Sequence, residues 1–472
     1  MENLEADFKN LTKKAIQLAS LIKKQDEILV VTHIDADGIT SGCIALESLK
    51  RCNIDADIIF LKQIDDGALQ QISDKFVWFT DLGSGYVDLI EKYKIECVIT
   101  DHHVPQKPFE NQLNPHDFGY DGSINLSGST TTYLVARNLG LVDGNLGLNY
   151  DLSAISIVGA VGDLQDSKHG RLMGLNRFVL NEAVKNGFIK VIKDLRFFGK
   201  QTRPVYKMLE YTFNPYLPGI SGNEKGAMEF LESLGISLKN GEWRRWIDLS
   251  DGERRMVISE IVKVCIEARM PVSLIKKLVG ESYIISYEEE GTELRDAMEY
   301  STLLNATARY AKKYGEESCY IGLRVCQGDR DAYKKARSLL QNHRRNLSDG
   351  IRYVDEIGIV ELRNIQYFHA RDEIMDTIVG IVAGMCFYKA NLKKPIIAFA
   401  NNEDGIKVSA RATQWLVEKG VHLAKALTIA AEKVGGKGGG HSIAAGATIP
   451  EGSEEKFLKY LDELIGKQLK RF

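Results

Sequence analysis

Four short segments of this 472-residue chain carry aspartate directly after an apolar run, and two of the four also carry histidine. The segments are His33-Ile34-Asp35-Ala36-Asp37-Gly38, Thr80-Asp81, Thr100-Asp101-His102-His103 and Gly162-Asp163. A single aspartate at such a position is more often a helix N-cap than a ligand, which is how Asp35 or Asp81 alone would be interpreted. If the fold brings these segments together, their several anionic groups would repel one another unless cations neutralised them. The combined pattern therefore predicts a metal site.

The side-chain types indicate which metal this site would hold. Carboxylate oxygen and imidazole nitrogen, without thiolate, suit Mn²⁺ or Mg²⁺ better than a structural zinc. The candidate ligands outnumber what one ion needs, so we expect two ions that share a bridging carboxylate. Two ions roughly 3.5–4 Å apart could hold a hydroxide and clamp a phosphoryl oxygen for in-line displacement. The predicted chemistry is metal-dependent phosphoester hydrolysis.

The apolar runs in the first part of the chain predict the element that brings the acids and histidines together. The runs cover residues 28–32, 57–61, 76–80 and 97–100, with amphipathic stretches between them. Continuous apolar runs separated by helices are typical of parallel strands buried on both faces. The carboxyl ends of such strands converge on the edge of the sheet where ligands bind. We predict a doubly wound α/β domain over residues 1–194, with Asp163 supplied by a further apolar run at 155–161.

Residues 195–290 differ in character from the segment before them. Three prolines among aromatic residues open this region, and helix-rich sequence follows. Ser250-Asp251-Gly252-Glu253 matches a capping box at the start of an amphipathic helix that reaches about Arg269. We predict an inserted helical module without catalytic residues. Trp243 and Trp246 either anchor a partner or belong to the module's core, and the core is the favoured interpretation.

A connecting region, residues 291–354, precedes a second α/β domain that we predict over 355–472. A long helix is expected over 293–313, and a basic segment follows over 330–352, with seven Lys and Arg against two acidic residues. That segment is either a solvated helix face or a track for the phosphates of a single strand. Apolar runs at 357–362, 395–399 and 406–410 predict the strands of the second domain.

The second domain contains a glycine-dense segment, Gly435-Gly436-Lys437-Gly438-Gly439-Gly440-His441. It lacks the Gly-Lys-Ser/Thr ending of a P-loop and the spacing of a dinucleotide-binding turn. We expect a loop, which is either a flexible turn or a nest of backbone N–H groups that cradles a phosphate beside His441. Ser409 and Arg411, at the end of a predicted strand, would add a hydroxyl and a bidentate guanidinium.

The N-terminal motifs, taken together and in order, resemble the four signature motifs of the DHH phosphoesterase superfamily, although the Asp101-His102-His103 triplet alone would be weak evidence. The resemblance implies that two Mn²⁺ ions, or Mg²⁺, are bound by His33, Asp35, Asp37, Asp81, His102 and Asp163. It further implies that His103 lies by the scissile phosphate as an electrostatic or acid partner. Asp101 would orient a histidine.

The segment from Gly438 to Gly446 resembles the GGGH-x-x-A-A-G signature of the DHH-associated domain. Ser409-Ala410-Arg411 resembles that domain's serine–arginine element. The resemblance implies a substrate-binding set composed of Ser409, Arg411, Gly438, Gly439, Gly440 and His441.

Among the branches of the superfamily, Asp35-Ala36-Asp37-Gly38 resembles the RecJ-type single-strand exonucleases, because oligoribonucleases carry an Asn-Pro-Asp form. The insertion resembles that of archaeal RecJ-like proteins that associate with the GINS replication complex. The resemblance implies an exonuclease on single-stranded DNA, with RNA as an open alternative, in replication or repair. An oligoribonuclease or small nucleotide phosphatase, and a GINS-bound scaffold with secondary nuclease activity, remain the alternatives. No OB-fold composition follows the second domain, which leaves room for short oligonucleotides.

The composition indicates which broad class of protein this is: globular, membrane-spanning, secreted or disulfide-rich. Hydrophobic residues make up 44% and charged residues 26%, as in ordinary globular proteins, and no apolar run is long enough to span a membrane. The N-terminus predicts an amphipathic first helix instead of a signal peptide. Seven cysteines without a C-x-x-C pair predict reduced thiols in a cytoplasmic protein. With a net charge of −3, local basic patches or metal ions must attract any polyanion.

Overall fold

The computed structural model describes residues 2–145, 147–213, 215–309 and 317–469. Two compact units, Met1–Leu340 and Gln341–Phe472, each contain a β-sheet with its own hydrophobic core. The predicted α/β class is confirmed, with a parallel sheet in the first unit and a smaller α/β domain in the second. None of the described helices combines the length and apolar character that a membrane span requires.

The sheet of the first unit has five parallel strands: β1 Glu27–His33, β2 Asp55–Leu61, β3 Val77–Thr80, β4 Cys97–Thr100 and β5 Gln112–Leu113. Their spatial order is β2-β1-β3-β4-β5. Val30 and Val31 of β1 are both fully buried, because they belong to cores on opposite faces of the sheet. This two-sided burial explains why the strands are continuous apolar runs in the sequence.

Helices cover both faces of this sheet. Leu18 of the first helix belongs to one core, and Ile90 belongs to the other. The helices of the sheet domain are α1 Glu2–Ile22, α2 Ala36–Arg51, α3 Asp66–Gln71, α4 Val87–Lys92, α5 Gly128–Val142, α6 Leu152–Gly162 and α7 Gly174–Lys185. The apolar run at 155–161 thus lies within helix α6, so Asp163 follows a helix and does not follow a strand.

The inserted module begins and ends in two paired antiparallel strands, β6 Ile189–Leu195 and β9 Val279–Ile285. Between them lie α8 Val205–Glu210, α9 Glu224–Ser233, β7 Lys239–Asn240, β8 Glu242–Trp243, α10 Asp251–Glu267 and α11 Val272–Ile275. Leu209, Leu231 and Ile261 are fully buried in the module's own core. The predicted capping box of Ser250 and Glu253 is present at the start of α10.

The region after the insertion is helical. It contains α12 Ala297–Arg309, α13 Glu317–Cys326 and α14 Arg330–Ile357. Residues 310–313 of the helix predicted over 293–313 lie outside the described residues, and its first residues, Glu293–Arg295, form a 3₁₀ turn. The basic segment lies on α14, where several of its cations are paired with acids: Arg330 with Glu288, Lys334 with Asp331, Arg337 with Glu293 and Arg352 with Asp349. Four of the seven cations of this segment thus face acids of the same chain.

The second unit has a six-stranded sheet with strands β10 Val360–Glu361, β11 Gln366–Arg371, β12 Ile396–Asn402, β13 Gly405–Arg411, β14 Lys437–Gly440 and β15 Ala444–Ile449. Their order is β10-β11-β12-β13-β15-β14, and only β11 and β12 pair in parallel. Its helices are α15 Val379–Met385, α16 Gln414–Glu418, α17 Leu423–Glu432 and α18 Glu454–Leu469. Of the predicted run at 357–362, Ile357 ends helix α14 and only Val360–Glu361 forms a strand.

Candidate metal centre

The carboxyl ends of three neighbouring strands converge as the parallel sheet requires. His33 is the last residue of β1, Asp81 follows β3, and Asp101 follows β4. The backbone of Asp81 is left-handed, with φ of 59°, and its N–H donates to Thr100 O at 2.8 Å. Asp81 and Asp101 are each only 1% exposed. These strand ends therefore place buried carboxylates beside an imidazole.

Helix α2 supplies two further carboxylates. Asp35 is its N-cap: one oxygen accepts the N–H of Gly38 at 3.0 Å, while the other lies 3.0 Å from His33 Nδ1. One oxygen of Asp35 thus serves the helix cap, and the other is directed at His33. Asp37, in the first turn, accepts N–H groups from Gly128 at 2.7 Å and Ser129 at 3.0 Å. These donors form the N-terminus of α5, which carries partial positive charge and stabilises the carboxylate.

His102 is buried among these acids. Its Nδ1 lies 2.7 Å from Gly122 O, and its Nε2 lies 3.3 Å from Asp81 Oδ1 and 3.8 Å from Asp37 Oδ2. Donation from Nδ1 to the carbonyl leaves the Nε2 lone pair directed at the carboxylates, the tautomer that a metal ligand needs. Asp163 Oδ2 lies 3.8 Å from His102 Nδ1, although Asp163 arrives from the end of α6.

Asp101 and His103 form a separate pair. The carboxylate of Asp101 accepts backbone N–H groups from Ser84, His102 and His103, and it lies 2.8 Å from His103 Nδ1. Its oxygens are thus engaged by donors, which fits the predicted orienting role and identifies His103 as the histidine it holds. The side chain of His103 is 47% exposed, so it can meet a ligand that approaches from solvent.

Without a bound cation, burial and the neighbouring charges shift the pKa values of the acids and histidines in this cluster. Burial lowers the pKa of His102, but Asp163, Asp81 and Asp37 together raise it well above its usual value. Burial raises the pKa of Asp37, and the charge of Asp81 raises it further. Burial also raises the pKa of Asp163. The cluster therefore favours bound protons where a divalent cation could replace them.

The donor set fits two divalent ions. One group of potential ligands is His33, Asp35 and Asp81, and another is Asp37, His102 and Asp163. Ligand atoms within each group lie within 4.8 Å of one another. Among the described residues, buried His33 Nδ1 and Asp81 Oδ1 have no partner in hydrogen-bonding geometry. Oxygen and nitrogen donors with unused lone pairs suit Mn²⁺ or Mg²⁺.

Three glycines that sequence reasoning missed leave room for these ligands. A Cβ atom on Gly128 would lie 2.2 Å from Asp81 Oδ1, and one on Gly159 would lie 2.6 Å from Asp37 Oδ1. A Cβ atom on Gly122 would lie 1.9 Å from the carbonyl oxygen of His102. Gln165 was also missed, and its Nε2 donates to Asp163 Oδ2 at 2.9 Å. These residues belong to no sequence motif, so only the fold brings them to the site.

The predicted substrate-binding residues of the second unit lie on strands β13 and β14 of its sheet or directly after β14. Ser409 pairs with Gly446, which pairs with Gly439, so these three residues share one face of neighbouring strands. Arg411 lies two residues beyond Ser409 on the same face of β13, and His441 follows β14. A Cβ atom on Gly380 would lie 2.6 Å from Arg411 Nη2, so this glycine leaves room for the guanidinium.

The prediction of a glycine loop is wrong for residues 437–440, which form the edge strand β14. Successive N–H groups of a strand point in alternate directions, so β14 does not form a nest. The glycines differ in their surroundings. A Cβ atom on Gly438 would lie 3.1 Å from the Leu427 carbonyl in α17, whereas one on Gly439 would have no atom within 4 Å. Gly440 has a φ of 125°.

Three family models match the chain in the order of these domains. The DHH family N-terminal domain matches residues 27–155, the DHH-CID domain 197–279 and the DHHA1 domain 364–467. The uncharacterized protein MJ0831 of Methanocaldococcus jannaschii is 31% identical over an alignment of 457 residues, which covers 94% of this chain and 94% of that protein. This chain therefore belongs to the DHH superfamily, with a DHH domain, a DHH-CID domain and a DHHA1 domain in that order. Membership and the acid–histidine cluster together support a metal-dependent hydrolase.

Solved structures share the fold at low identity. A structure of exonuclease RecJ bound to manganese is 16% identical, with a TM-score of 0.59 over 98% of this chain and 96% of that one. CDC45 from Entamoeba histolytica is 12% identical, with a TM-score of 0.63 over 98% and 99%. RecJ from Thermus thermophilus in complex with Mn²⁺ is 16% identical, with a TM-score of 0.60, and the match covers 97% of this chain but 55% of that one. The chain thus spans about half the length of the Thermus protein.

Proposed function

We propose that this protein is an exonuclease that hydrolyses phosphodiester bonds of single-stranded DNA with two divalent metal ions. Mn²⁺ is the expected ion, and Mg²⁺ is the alternative. The position of Asp81 carries the proposal. Its Oδ2 lies 3.6 Å from His33 Nδ1 in one group of potential ligands, and its Oδ1 lies 3.3 Å from His102 Nε2 in the other. One carboxylate that faces both groups is the arrangement expected of a bridge between two ions.

The chain's own residues divide the work in this proposal. His33 and Asp35 would hold one ion, Asp37, His102 and Asp163 the other, and Asp81 both. The ions, when bound, supply positive charge that offsets the charge developing on the phosphoryl oxygens. Asp101 holds His103 at the solvent side of the cluster, where the imidazole would contact the scissile phosphate. In the second unit, Ser409, Arg411 and Gly439 would bind a phosphate of the substrate.

The metal mechanism is tested by removing ligands while keeping the fold. We expect Asp35→Ala together with Asp37→Ala, and separately Asp81→Asn, to lower hydrolysis by more than about 100-fold, because charge stabilisation by the ions is lost. The matched control is Asp74→Asn, which changes an exposed aspartate. The assay is digestion of end-labelled single strands, blocked at either end, with Mn²⁺ or Mg²⁺. Wild-type rates in both ligand variants would refute the mechanism.

The substrate class is tested by strand length. The alternative within the superfamily is an oligoribonuclease or small nucleotide phosphatase, which would act on two- to five-nucleotide oligomers. Our proposal predicts cleavage of long DNA strands at rates at least equal to those of short oligomers. DNA and RNA ladders of matched sequence separate the two functions, because cleavage confined to short oligomers would favour the alternative.

We further propose that the insertion binds a replication partner, with the GINS complex as the candidate. Trp243 is 38% exposed and packs on Tyr206 with ring centroids 4.8 Å apart, whereas Trp246 is 1% exposed and contacts Asp194. Of these two tryptophans, Trp243 is the one exposed enough to anchor a partner directly. We expect Trp243→Ala to weaken capture by GINS components and to leave nuclease activity unchanged. Undiminished capture would exclude Trp243 from the interface.

A further inference from the structure

Two buried amide side chains beside the metal centre connect three of its potential ligands. We propose that Gln165 and Asn176 form a positioning pair that orients Asp163, His102 and Asp37 for metal binding. The inference rests on the proposed function of the centre. Gln165 is 1% exposed and Asn176 is fully buried, so neither can exchange its partners for bulk water. Neither residue is itself a metal ligand in this proposal.

The contacts of Gln165 fix the direction of its amide. Its Oε1 accepts from Asn176 Nδ2 at 2.6 Å, so its Nε2 is the donor group. That donor reaches Asp163 Oδ2 at 2.9 Å and Gly122 O at 2.7 Å. Donation to Oδ2 leaves Asp163 Oδ1 available to a metal ion.

The carbonyl of Gly122, which accepts from Gln165, also fixes the orientation of His102. Gly122 O lies 2.7 Å from His102 Nδ1 and 2.7 Å from Gln165 Nε2, so this carbonyl accepts from two donors. This carbonyl cannot rotate away without leaving a buried donor unpaired. The imidazole is thereby held with Nδ1 protonated and Nε2 directed at Asp81 and Asp37.

Asn176 extends the network to the third ligand. Its Oδ1 accepts from Thr130 Oγ1 at 2.6 Å and from the N–H of Ser127 at 3.3 Å. Ser127 and Thr130 form the capping box at the start of α5. The next two N–H groups of this helix, at Gly128 and Ser129, hold both oxygens of Asp37. A change at Asn176 should therefore move the donors that position Asp37.

The test measures Mn²⁺ binding by isothermal titration calorimetry on the full chain, with no nucleic acid present. Gln165→Met keeps the side-chain length but removes both donors, and Gln165→Glu keeps the shape but places a second carboxylate against Asp163. We expect each variant to weaken Mn²⁺ binding by about 10–100-fold, the usual effect of removing a group that orients a ligand. Asn176→Leu should weaken Mn²⁺ binding similarly. The double variant Gln165→Met with Asn176→Leu should weaken it by less than the product of the two single effects.

The matched control is Asn138→Leu, which removes a buried amide that donates to Leu134 O within its own helix. It should keep wild-type Mn²⁺ affinity whatever its effect on thermal stability. Wild-type affinity in both Gln165 variants would overturn the proposal, and so would an equal loss in Asn138→Leu. A wild-type protein that binds Mn²⁺ but cleaves no strand would instead refute the nuclease proposal, while the calorimetric comparison would still decide the role of the pair.

Discussion

At the scale of single residues, the metal centre depends on side chains that are absent as well as on those present. A Cβ atom on Gly128 would collide with Asp81 Oδ1, and the N–H of this glycine donates to Asp37 Oδ2. A methyl group there would displace the carboxylate that faces both ligand groups. The position of Asp81, which would hold both proposed ions, thus depends on the absence of a side chain at Gly128.

We expect Gly128→Ala to impair the metal centre more than it impairs the fold. The new Cβ would lie 2.2 Å from Asp81 Oδ1, and overpacking of this kind costs about 1–3 kcal/mol. Mn²⁺ affinity and nuclease rate should fall together, as measured by calorimetry and strand digestion. Gly252→Ala is the matched control, since its Cβ in the first turn of α10 would meet only Ser250 Oγ at 3.9 Å. Full Mn²⁺ affinity in Gly128→Ala would contradict the proposed bridging role of Asp81.

The clustering of acids and histidines at the candidate metal centre was predictable in part because strand ends have a fixed geometry. Asp81, Asp101 and His102 follow apolar runs, and parallel strands must deliver their carboxyl ends to one edge. Gln165 was not predictable, since an amide two residues beyond Asp163 could serve a turn equally well. Its role arises from Asn176 and Gly122, which reach it only in the folded chain.

At the scale of elements, burial determined which parts of the fold could be predicted. The strands of the parallel sheet are buried on both faces and therefore appear as short apolar runs. Helix α6 is also buried nearly all round, and periodicity cannot distinguish such a helix from a strand. Strand β14 was missed for a different reason. Glycine has little preference for strands, so Lys437–Gly440 extends because β15 pairs with it.

Neighbouring glycines of β14 should respond differently to the same substitution. Gly438→Ala would press a methyl group against the Leu427 carbonyl at 3.1 Å, so we expect it to destabilise the protein by about 1 kcal/mol. Gly439→Ala meets no atom within 4 Å and should leave stability nearly unchanged. If this face binds phosphate, Gly439→Ala should nevertheless raise KM for the strand. Urea unfolding and steady-state kinetics measure the two effects, and an unchanged KM would argue against a ligand at Gly439.

Helix α12 is connected to the insertion through a buried acid whose titration should affect stability. Glu299 accepts the N–H of Gln201 at 2.7 Å and the hydroxyl of Thr202 at 2.6 Å. Burial, followed by the charge of Asp296, raises the pKa of Glu299 from 4.5 to about 7. The protonated form is thus favoured in the folded protein, so its contribution is fully present below pH 4.5 and is lost as pH rises through about 7.

We therefore expect the wild-type protein to lose a few kcal/mol of unfolding free energy from this residue between pH 5 and pH 8. Glu299→Gln cannot ionise and should lose less over the same interval. Urea denaturation of both proteins at the two pH values, in the same metal-free buffer, gives the difference. Glu260→Gln on α10 provides a comparison, because that carboxylate forms a surface pair with Lys263. Equal pH dependence in wild type and Glu299→Gln would show that Glu299 does not titrate in this range.

At the scale of the whole molecule, the net charge of the protein does not favour the binding of a nucleic acid. The chain has a net charge of −3, and several cations of α14 are already paired with acids. Most nucleic-acid binding proteins gain affinity from unpaired Lys and Arg that displace counterions. In this protein the buried carboxylates of the candidate metal centre, when ionised, would repel a phosphate in the absence of cations.

We accordingly expect the affinity for a single strand, and not only its cleavage, to require a divalent ion. Two bound Mn²⁺ ions would reverse the local sign of charge at the centre and provide positive groups for the terminal phosphates. Fluorescence anisotropy with a labelled phosphorothioate strand should show at least about tenfold tighter binding in Mn²⁺ than in EDTA. The Asp35→Ala and Asp37→Ala double variant should lose this difference, whereas Arg411→Ala should weaken binding in both buffers. Equal affinity of the wild-type protein in Mn²⁺ and EDTA would mean that groups outside the metal centre capture the strand.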